Sequence, residues 1–329
     1  MSLKTAAMIT GTGHAVPKKV LTNHDLAEMV DTSDEWIRTR TGIVERRIAE
    51  EHEGTSDYGA RAAREALEEA NLSPEEIDLI FFGTVTPDMY FPSAACFLQE
   101  KIGATNAAVM DISAACSGFL YGLTLAEAII ASGRYKNILV VGGELLSRIT
   151  DWTDRATCVL FGDGAGAAVV QPSDGERGII KSVIKSDGRL WNLLKMPGGG
   201  SLLPPYKAAE DPKPFFLKME GREVFRHAVT LMGDSATQVL NEAGMSSEDV
   251  DLFIPHQANL RIIQALAKRL NLPDEKVYVN LDRYGNTSAA SIGIALNEAR
   301  KNGRLKQGDL VLAVAFGGGF TWSSVLFRL

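Results

Sequence analysis

One order of residues is written twice in this chain of 329 amino acids. A helical pattern from Tyr58 to Ala70 is broken by Asn71-Leu72-Ser73-Pro74. It then passes the acidic pair Glu75-Glu76 and runs from Asp78 into the apolar strand Leu79-Ile80-Phe81-Phe82-Gly83. The same order returns as Ala236 to Ala243, Gly244-Met245-Ser246-Ser247, Glu248-Asp249, Asp251 and Leu252-Phe253-Ile254-Pro255, displaced by 251 − 78 = 173 residues. A second echo joins Ala131-Ser132-Gly133-Arg134, before the strand Ile138 to Gly142, with Lys301-Asn302-Gly303-Arg304, before Leu310 to Ala315. Its offset is 303 − 133 = 170. Two echoes at nearly one spacing predict a duplicated α/β unit whose strands alternate with helices. The polar stretch Gln171-Pro172-Ser173-Asp174-Gly175-Glu176 is the expected boundary, giving halves 1–172 and 173–329.

The duplication also locates chemistry. Ala107 to Ile112 reads as a short buried strand, and Gly118 to Ile130, apolar nearly all round, as a helix buried on every side. Cys116, in Ile112-Ser113-Ala114-Ala115-Cys116-Ser117-Gly118, therefore sits near a helix N-terminus. Unpaired N–H groups and the dipole there favour a thiolate, and the small neighbours admit a substrate carbonyl. With the offset of 170, Cys116 falls opposite Asn286, because 116 + 170 = 286. Both then occupy strand-to-helix corners that a pseudo-twofold axis brings face to face. His256 follows the strand ending at Pro255 and precedes an amphipathic helix through Ile262, Ile263, Leu266 and Leu270. A histidine at a helix N-terminus resists protonation, so a neutral ring is expected. Sites in α/β sheets gather beyond the carboxyl ends of strands, which groups Cys116, His256 and Asn286. Taken singly, each keeps a structural alternative: a buried small hydrophobe, a packed imidazole, a turn residue.

Composition narrows the class. The net charge of −7 and pI near 5.4 argue against nucleic acid or an anionic membrane as the main partner. Three cysteines (Cys96, Cys116, Cys158) without paired spacing give no disulfide framework and suggest a reducing compartment. No CxxC or HExxH occurs, so no metal is expected. The N-terminus lacks a signal-peptide core and no apolar run is long enough to span a bilayer, so a cytoplasmic protein is expected. Thr32 three residues before Glu35 predicts a capping box, and the helix it starts presents Trp36 and Arg40 one turn apart, near Arg38, Arg46 and Arg47. Such a face is either solvated or able to grip a nucleotide base. Gly11-Thr12-Gly13-His14-Ala15-Val16 lacks the third glycine of a dinucleotide fingerprint, and Gly162 to Gly166 and Gly317 to Gly319 read as tight backbone corners. The Gly- and Pro-rich segment from Gly198 to Phe216 is expected to be a surface loop beside the site; neither it nor Trp191 fits a motif.

Cys, His and Asn in this order also occur in papain-like peptidases, but the local cysteine signature of that class is absent and a duplicated α/β layout does not suit it. A more extensive likeness rests on seven segments. They are Asp34-Glu35-Trp36-Ile37-Arg38-Thr39-Arg40-Thr41-Gly42-Ile43, Phe91-Pro92-Ser93-Ala94-Ala95-Cys96, Ala114-Ala115-Cys116-Ser117-Gly118, Phe161-Gly162-Asp163-Gly164-Ala165-Gly166-Ala167, Pro255-His256-Gln257-Ala258-Asn259, Gly285-Asn286-Thr287-Ser288 and Phe316-Gly317-Gly318-Gly319-Phe320. Together they resemble the β-ketoacyl-acyl-carrier-protein synthase III family, over nearly the whole chain. The resemblance implies an α/β, thiolase-like fold of two duplicated halves in five layers, αβαβα, and a homodimer. It implies an acyltransferase in which Cys116 takes an acyl group from a short acyl-coenzyme A, acetyl-coenzyme A being the expected primer. His256 and Asn286 then activate malonyl-acyl-carrier-protein for decarboxylative condensation, which initiates fatty acid synthesis.

By the same resemblance, N–H groups of Cys116 and Gly318 form the oxyanion hole. Trp36 and Arg155 sandwich the adenine of coenzyme A, with Thr32 and Arg40 nearby and Asn259 lining the pantetheine channel. Phe91 reaches into the partner's acyl pocket. No cofactor is implied, the coenzyme A thioester being a substrate. Arg261 and Lys268, seven residues apart, offer a basic stripe for an acidic carrier protein, which Arg226 extends. The competing readings are a relative of secondary metabolism, a cysteine hydrolase and a non-catalytic acyl-coenzyme A binder.

Overall fold

The structure, a computed structural model, describes residues 5–207 and 211–329. The repeated aspartates show why the two echoes fold alike. Asp78 Oδ2 accepts the N–H groups of Lys136 and Asn137 at 2.9 Å, and Asp251 Oδ2 accepts that of Leu310 at 2.8 Å. Each carboxylate fastens the start of one strand to the start of its parallel neighbour.

Up to residue 172 the chain forms β1 (Ala7–Ala15), β2 (Lys19–Thr22), α1 (Asn23–Met29), α2 (Asp34–Thr41), β3 (Glu45–Ile48), α3 (Thr55–Ala70), β4 (Leu79–Gly83), α4 (Ala94–Ile102), β5 (Ala108–Ile112), α5 (Gly118–Ala131), β6 (Ile138–Leu145), α6 (Arg155–Cys158) and β7 (Asp163–Pro172). After it come β8 (Gly178–Ser186), β9 (Leu194–Lys195), β10 (Lys218–Met219), α7 (Gly221–Ala243), β11 (Leu252–Pro255), α8 (Leu260–Arg269), α9 (Leu281–Tyr284), α10 (Ala290–Lys301), β12 (Leu310–Gly317) and β13 (Thr321–Arg328). One sheet has the order β1-β7-β6-β4-β5 and the other β11-β12-β13-β8. Read from the far edge, β4, β6, β7 and β1 recur as β11, β12, β13 and β8. The counterpart of β5 shrinks to a single parallel bridge between Phe253 and Val277.

The layers follow from where apolar side chains point. Helices α3 and α4 cover the outer face of the first sheet, α5 and α10 lie between the sheets, and α7 and α8 cover the outer face of the second. This is the five-layered αβαβα arrangement expected above. Its middle layer is tight: a Cβ on Gly166 of β7 would meet the carbonyl carbon of Gly293 of α10 at 2.5 Å. Gly164 and Gly166 therefore lie inside a strand, where helix and sheet backbones approach closely, and are not corners as the glycine string suggested.

Further expectations need correction. The duplication register is 290 − 118 = 172 at the starts of α10 and α5, and the left-handed residues Ala115 (φ 48°) and Ser288 (φ 49°) are 288 − 115 = 173 apart. Cys116 thus corresponds to Ser288 or Ala289, not to Asn286, although all of them sit at the two facing corners. The strand before Cys116 is not buried: β5 is an edge strand with Met110 48% exposed. The cap of α2 is Ser33, whose Oγ accepts the Trp36 N–H at 3.1 Å; it displaces Thr32 by one position. In the segment from Gly198 to Phe216, short turns form at Pro205–Lys207 and Lys213–Phe215, and the β9–β10 pair closes its base. Residues 208–210 of that segment, and residues 1–4 on which part of the N-terminal reading rests, lie outside the described residues. Among the described residues no helix is long and apolar enough to cross a membrane.

Candidate active site

Cys116 lies in the turn Ala115–Ser117 that leads directly into α5. The turn is locked to the end of β12 and the start of β13: the Thr321 hydroxyl donates to the Ala114 carbonyl at 2.7 Å and the Ser117 hydroxyl to the Thr321 carbonyl at 3.2 Å. Gly317 must be glycine here, since a Cβ would come within 2.6 Å of the Cys116 nitrogen. Gly318, one residue on, lines the same cavity as Cys116. The thiolate expected from the helix end is not the resting form. Burial pushes the Cys116 thiol up to about 12; a hydrogen bond with Ser288 opposes the rise and the charge of Glu144 adds to it. The residue is partly exposed and lines the cavity.

His256 follows β11, and its N–H donates to the Val314 carbonyl of β12 at 2.7 Å. It precedes the α8 N-cap, Asn259, by three residues, so the helix terminus is not what keeps it neutral. Burial does, drawing the imidazole down to about 4. Its Nδ1 lies 2.7 Å from the Ser291 hydroxyl in the first turn of α10. Asn286 is pinned by its backbone: its N–H donates to the Leu160 carbonyl at 2.8 Å and its carbonyl accepts the Gly162 N–H at 3.0 Å. The carboxamide Oδ1 accepts the Ser288 N–H at 2.9 Å, which fixes the amide orientation and leaves its NH2 end for the cavity.

Cys116, His256 and Asn286 line one cavity of about 310 Å³. Its wall is largely apolar, with Leu146, Phe161, Phe225, Met232 and Phe316 among the liners. Met196, Leu217 and Met219, which flank the segment without a motif, complete it, so that segment borders the site. Such a chamber suits an aliphatic chain attached to a reactive carbonyl.

The remaining candidates divide. Arg155 stacks on Trp36, its Cζ 4.9 Å from the ring centroid, and donates to the Asp31 carbonyl at 2.8 Å. A planar ring between the two needs about 7 Å, two contact distances, so Arg155 must swing outward to admit one. Thr32 Oγ1 is buried without a hydrogen-bond partner among the described residues, beside this clamp in sequence. Arg40 is exposed, and its carbonyl accepts the Asn259 Nδ2 at 3.1 Å. Asn259 lines the cavity, but its Oδ1 also caps α8 through the Arg261 N–H at 2.9 Å, so both its polar ends already hold protein partners. The arginines near Trp36 are not one basic face: Arg46 is fully buried on Asn23 and the Val159 carbonyl, Arg38 pairs with Asp34 and Arg47 with Glu45. Arg261 and Lys268 are exposed on α8, and Arg261 reaches over Phe225 at the cavity wall. Arg226 is tied to Glu223 at 2.6 Å, which offsets part of its charge. Phe91 is 86% exposed and does not line the cavity of its own chain. Trp191 is exposed under Lys195, 4.8 Å from its ring.

Sequence reasoning missed two residues. Ser291 contacts the imidazole, and Glu144, on β6, is buried beside Cys116. Ser291 had a signal in hindsight, a buried serine in the first turn of α10. Glu144 had none, because a single acid inside an apolar strand has no spacing to read.

Comparisons with known proteins identify the family. The family descriptions "3-oxoacyl-(acyl-carrier-protein) synthase III" and its C-terminal part match residues 110–188 and 240–329. A β-ketoacyl-acyl-carrier-protein synthase III of Caldanaerobacter subterraneus is 54% identical over 328 residues, covering 100% of this chain and 99% of that one. The crystal structure of the corresponding enzyme from Aquifex aeolicus superposes with a TM-score of 0.91 at 52% identity, over 98% of this chain and 100% of the other. That of the priming β-ketosynthase from the R1128 polyketide pathway gives 0.91 at 37% identity, over 100% and 98%. The chain belongs to the 3-oxoacyl-(acyl-carrier-protein) synthase III family of condensing acyltransferases.

Proposed function

We propose that this chain condenses a short acyl-coenzyme A with malonyl-acyl-carrier-protein through an acyl group held on Cys116. The observation that carries the reading is that a thiol, a neutral imidazole and an oriented carboxamide open into one apolar chamber. In the first half-reaction the Cys116 sulfur attacks the thioester carbonyl, and the backbone N–H groups of Cys116 and Gly318 receive the developing oxyanion. Coenzyme A leaves, and a thioester has replaced a thioester at little energetic difference.

In the second half-reaction two donors are needed and no base. With the Ser291 hydroxyl donating to Nδ1, the neutral His256 carries its proton on Nε2, and Asn286 offers its NH2. Both stabilise the enolate oxygen of the malonyl thioester as CO2 departs, and the enolate carbon attacks the acyl carbonyl on Cys116. The Trp36 and Arg155 clamp receives the adenine once Arg155 moves off the ring. The α8 basic stripe at the chamber wall receives the acidic carrier protein. A homodimer joined along β5 gives the exposed Phe91 a place in the partner's chamber. Coenzyme A acts as a substrate, so no cofactor is required.

Mixing the protein with acetyl-coenzyme A and malonyl-carrier protein should give acetoacetyl-carrier protein, CO2 and, without the malonyl partner, a 1:1 acetyl adduct on Cys116. Absence of product with active carrier protein defeats the reading. Hydrolysis of the thioester alone would indicate a hydrolase, and a panel of straight and branched primers separates a fatty acid role from one in secondary metabolism.

A further inference from the structure

Glu144 takes no part in the chemistry above, yet it is completely buried one hydroxyl away from the nucleophile. Its Oε2 accepts four hydrogen bonds: the Thr84 hydroxyl at 3.1 Å, the Val85 and Thr86 N–H groups at 3.0 Å, and the Thr86 hydroxyl at 2.6 Å. Its Oε1 accepts one, from the Ser288 hydroxyl at 3.0 Å. Four donors on Oε2 leave no place for a proton there, so a proton arriving at this carboxyl must sit on Oε1, facing Ser288. Ser288 in turn lines the same cavity as Cys116, and its hydroxyl acts on the thiol by lowering the pH at which it ionises. Ser288 thus stands between the two groups, bonded to Glu144 Oε1 on one side and lining the cavity with Cys116 on the other.

Such a carboxylate calls for an explanation. Burying an acid is costly unless its charge is matched, and the groups that face Glu144 supply dipoles only. They are Thr84, Val85 and Thr86 after β4, Ser288 before α10, and Cys116 before α5, the titratable neighbour. Positioning Ser288 requires only an amide. An ionisable group there is explained by a proton that comes and goes.

We propose that Glu144 accepts the Cys116 proton during acyl transfer, working through the Ser288 hydroxyl. This rests on the reading of Cys116 as the acylated nucleophile. As the sulfur bonds to the thioester carbon, the S–H proton passes to Ser288 Oγ while Ser288 passes its own hydroxyl proton to Glu144 Oε1. The tetrahedral adduct collapses, the carbon–sulfur bond to coenzyme A breaks, and Glu144 returns a proton through Ser288 to the departing sulfur. The thiol proton of Cys116 therefore ends on coenzyme A. Ser288, which in this scheme exchanges protons with the reacting sulfur, is the catalytic residue, and Glu144 is a positioning residue that acts through it. Burial holds the Glu144 carboxyl at about 6, a value at which a group both takes and returns a proton near neutrality. The ionised carboxylate also raises the resting thiol, and that repulsion disappears when the proton moves across. His256 is a poor alternative acceptor, because its ring is held at about 4 and its Nδ1 is occupied by Ser291.

The test is single-turnover acetylation of Cys116 by acetyl-coenzyme A, followed by protein mass between pH 5 and 8. In the unmodified protein the rate should fall about tenfold per pH unit below roughly pH 6, as Glu144 becomes protonated. Glu144→Gln matches the protonated acid in shape, and should lose about 100-fold or more in rate together with the acidic limb. Glu144→Asp should keep a displaced limb, and Ser288→Ala should lose rate as Gln does. Unchanged coenzyme A affinity is the control for folding. A Gln variant that acetylates at the normal rate, or keeps the limb near pH 6, overturns the proposal. If that variant does not fold, a normal rate in Ser288→Ala overturns it. Failure of the unmodified protein to acetylate would instead remove the nucleophile reading itself.

Discussion

At the scale of single residues, burial rather than helix ends sets the charge states of the site. His256 is drawn from 6.5 to about 4, so the folded state resists binding a proton that the unfolded chain binds readily. A folded value below the unfolded one gives stability that is present above pH 6.5 and lost as pH falls toward 4, up to about 3 kcal/mol for this group. Urea unfolding at pH 7 and pH 4.5 should therefore show a smaller loss in His256→Gln than in the unmodified protein; equal losses would contradict the assignment. Asn286 has a different role, that of a donor whose oxygen is already committed to Ser288. Asn286→Ala should lower condensation about 100- to 1000-fold, with acyl-enzyme accumulating rather than turning over. Quenched-flow mass measurement of Cys116 would show it.

Among the elements, the critical contact is between β7 and α10, where Gly166 and Gly293 let the central helix lie almost on the sheet backbone. That closeness sets where the start of α10 sits, and with it Ser288 and Ser291. Gly166→Ala places a methyl against backbone that has no rotamer to yield. We expect a loss of about 1–3 kcal/mol in denaturant unfolding, together with weaker condensation as Ser291 shifts from His256. A variant with normal stability would show that the two backbones can separate. Helix α8 illustrates a residue with two duties: Asn259 caps it and also ties it to the Arg40 carbonyl of α2, coupling the helix that carries Trp36 to the chamber wall.

For the molecule as a whole, β5 is the element out of place in a single chain. It is an edge strand with Met110 48% exposed, next to a loop that carries Phe91 86% exposed. Unpaired apolar edges invite pairing, and the proposed homodimer satisfies this one. Met110→Glu places like charges across a twofold edge and should halve the mass found by light scattering. An unchanged mass would move the interface elsewhere.

Much of this was legible before any coordinates. The aspartate echoes Asp78 and Asp251 marked strands fastened in the same way, and Cys116, His256 and Asn286 stood at strand ends where chemistry collects. What the chain order determined by itself was therefore the alternation of elements, their duplication and the three side chains that come to line one cavity, because these depend on local pattern and spacing. Only tertiary structure decided the register that sets Cys116 against Ser288 or Ala289, the burial that raises the thiol and lowers the imidazole, and the placement of Glu144. Those depend on contacts between residues tens of positions or more apart, 58 for Glu144 with Thr86 and 144 for Glu144 with Ser288, and on how completely water is excluded, neither of which a local pattern records.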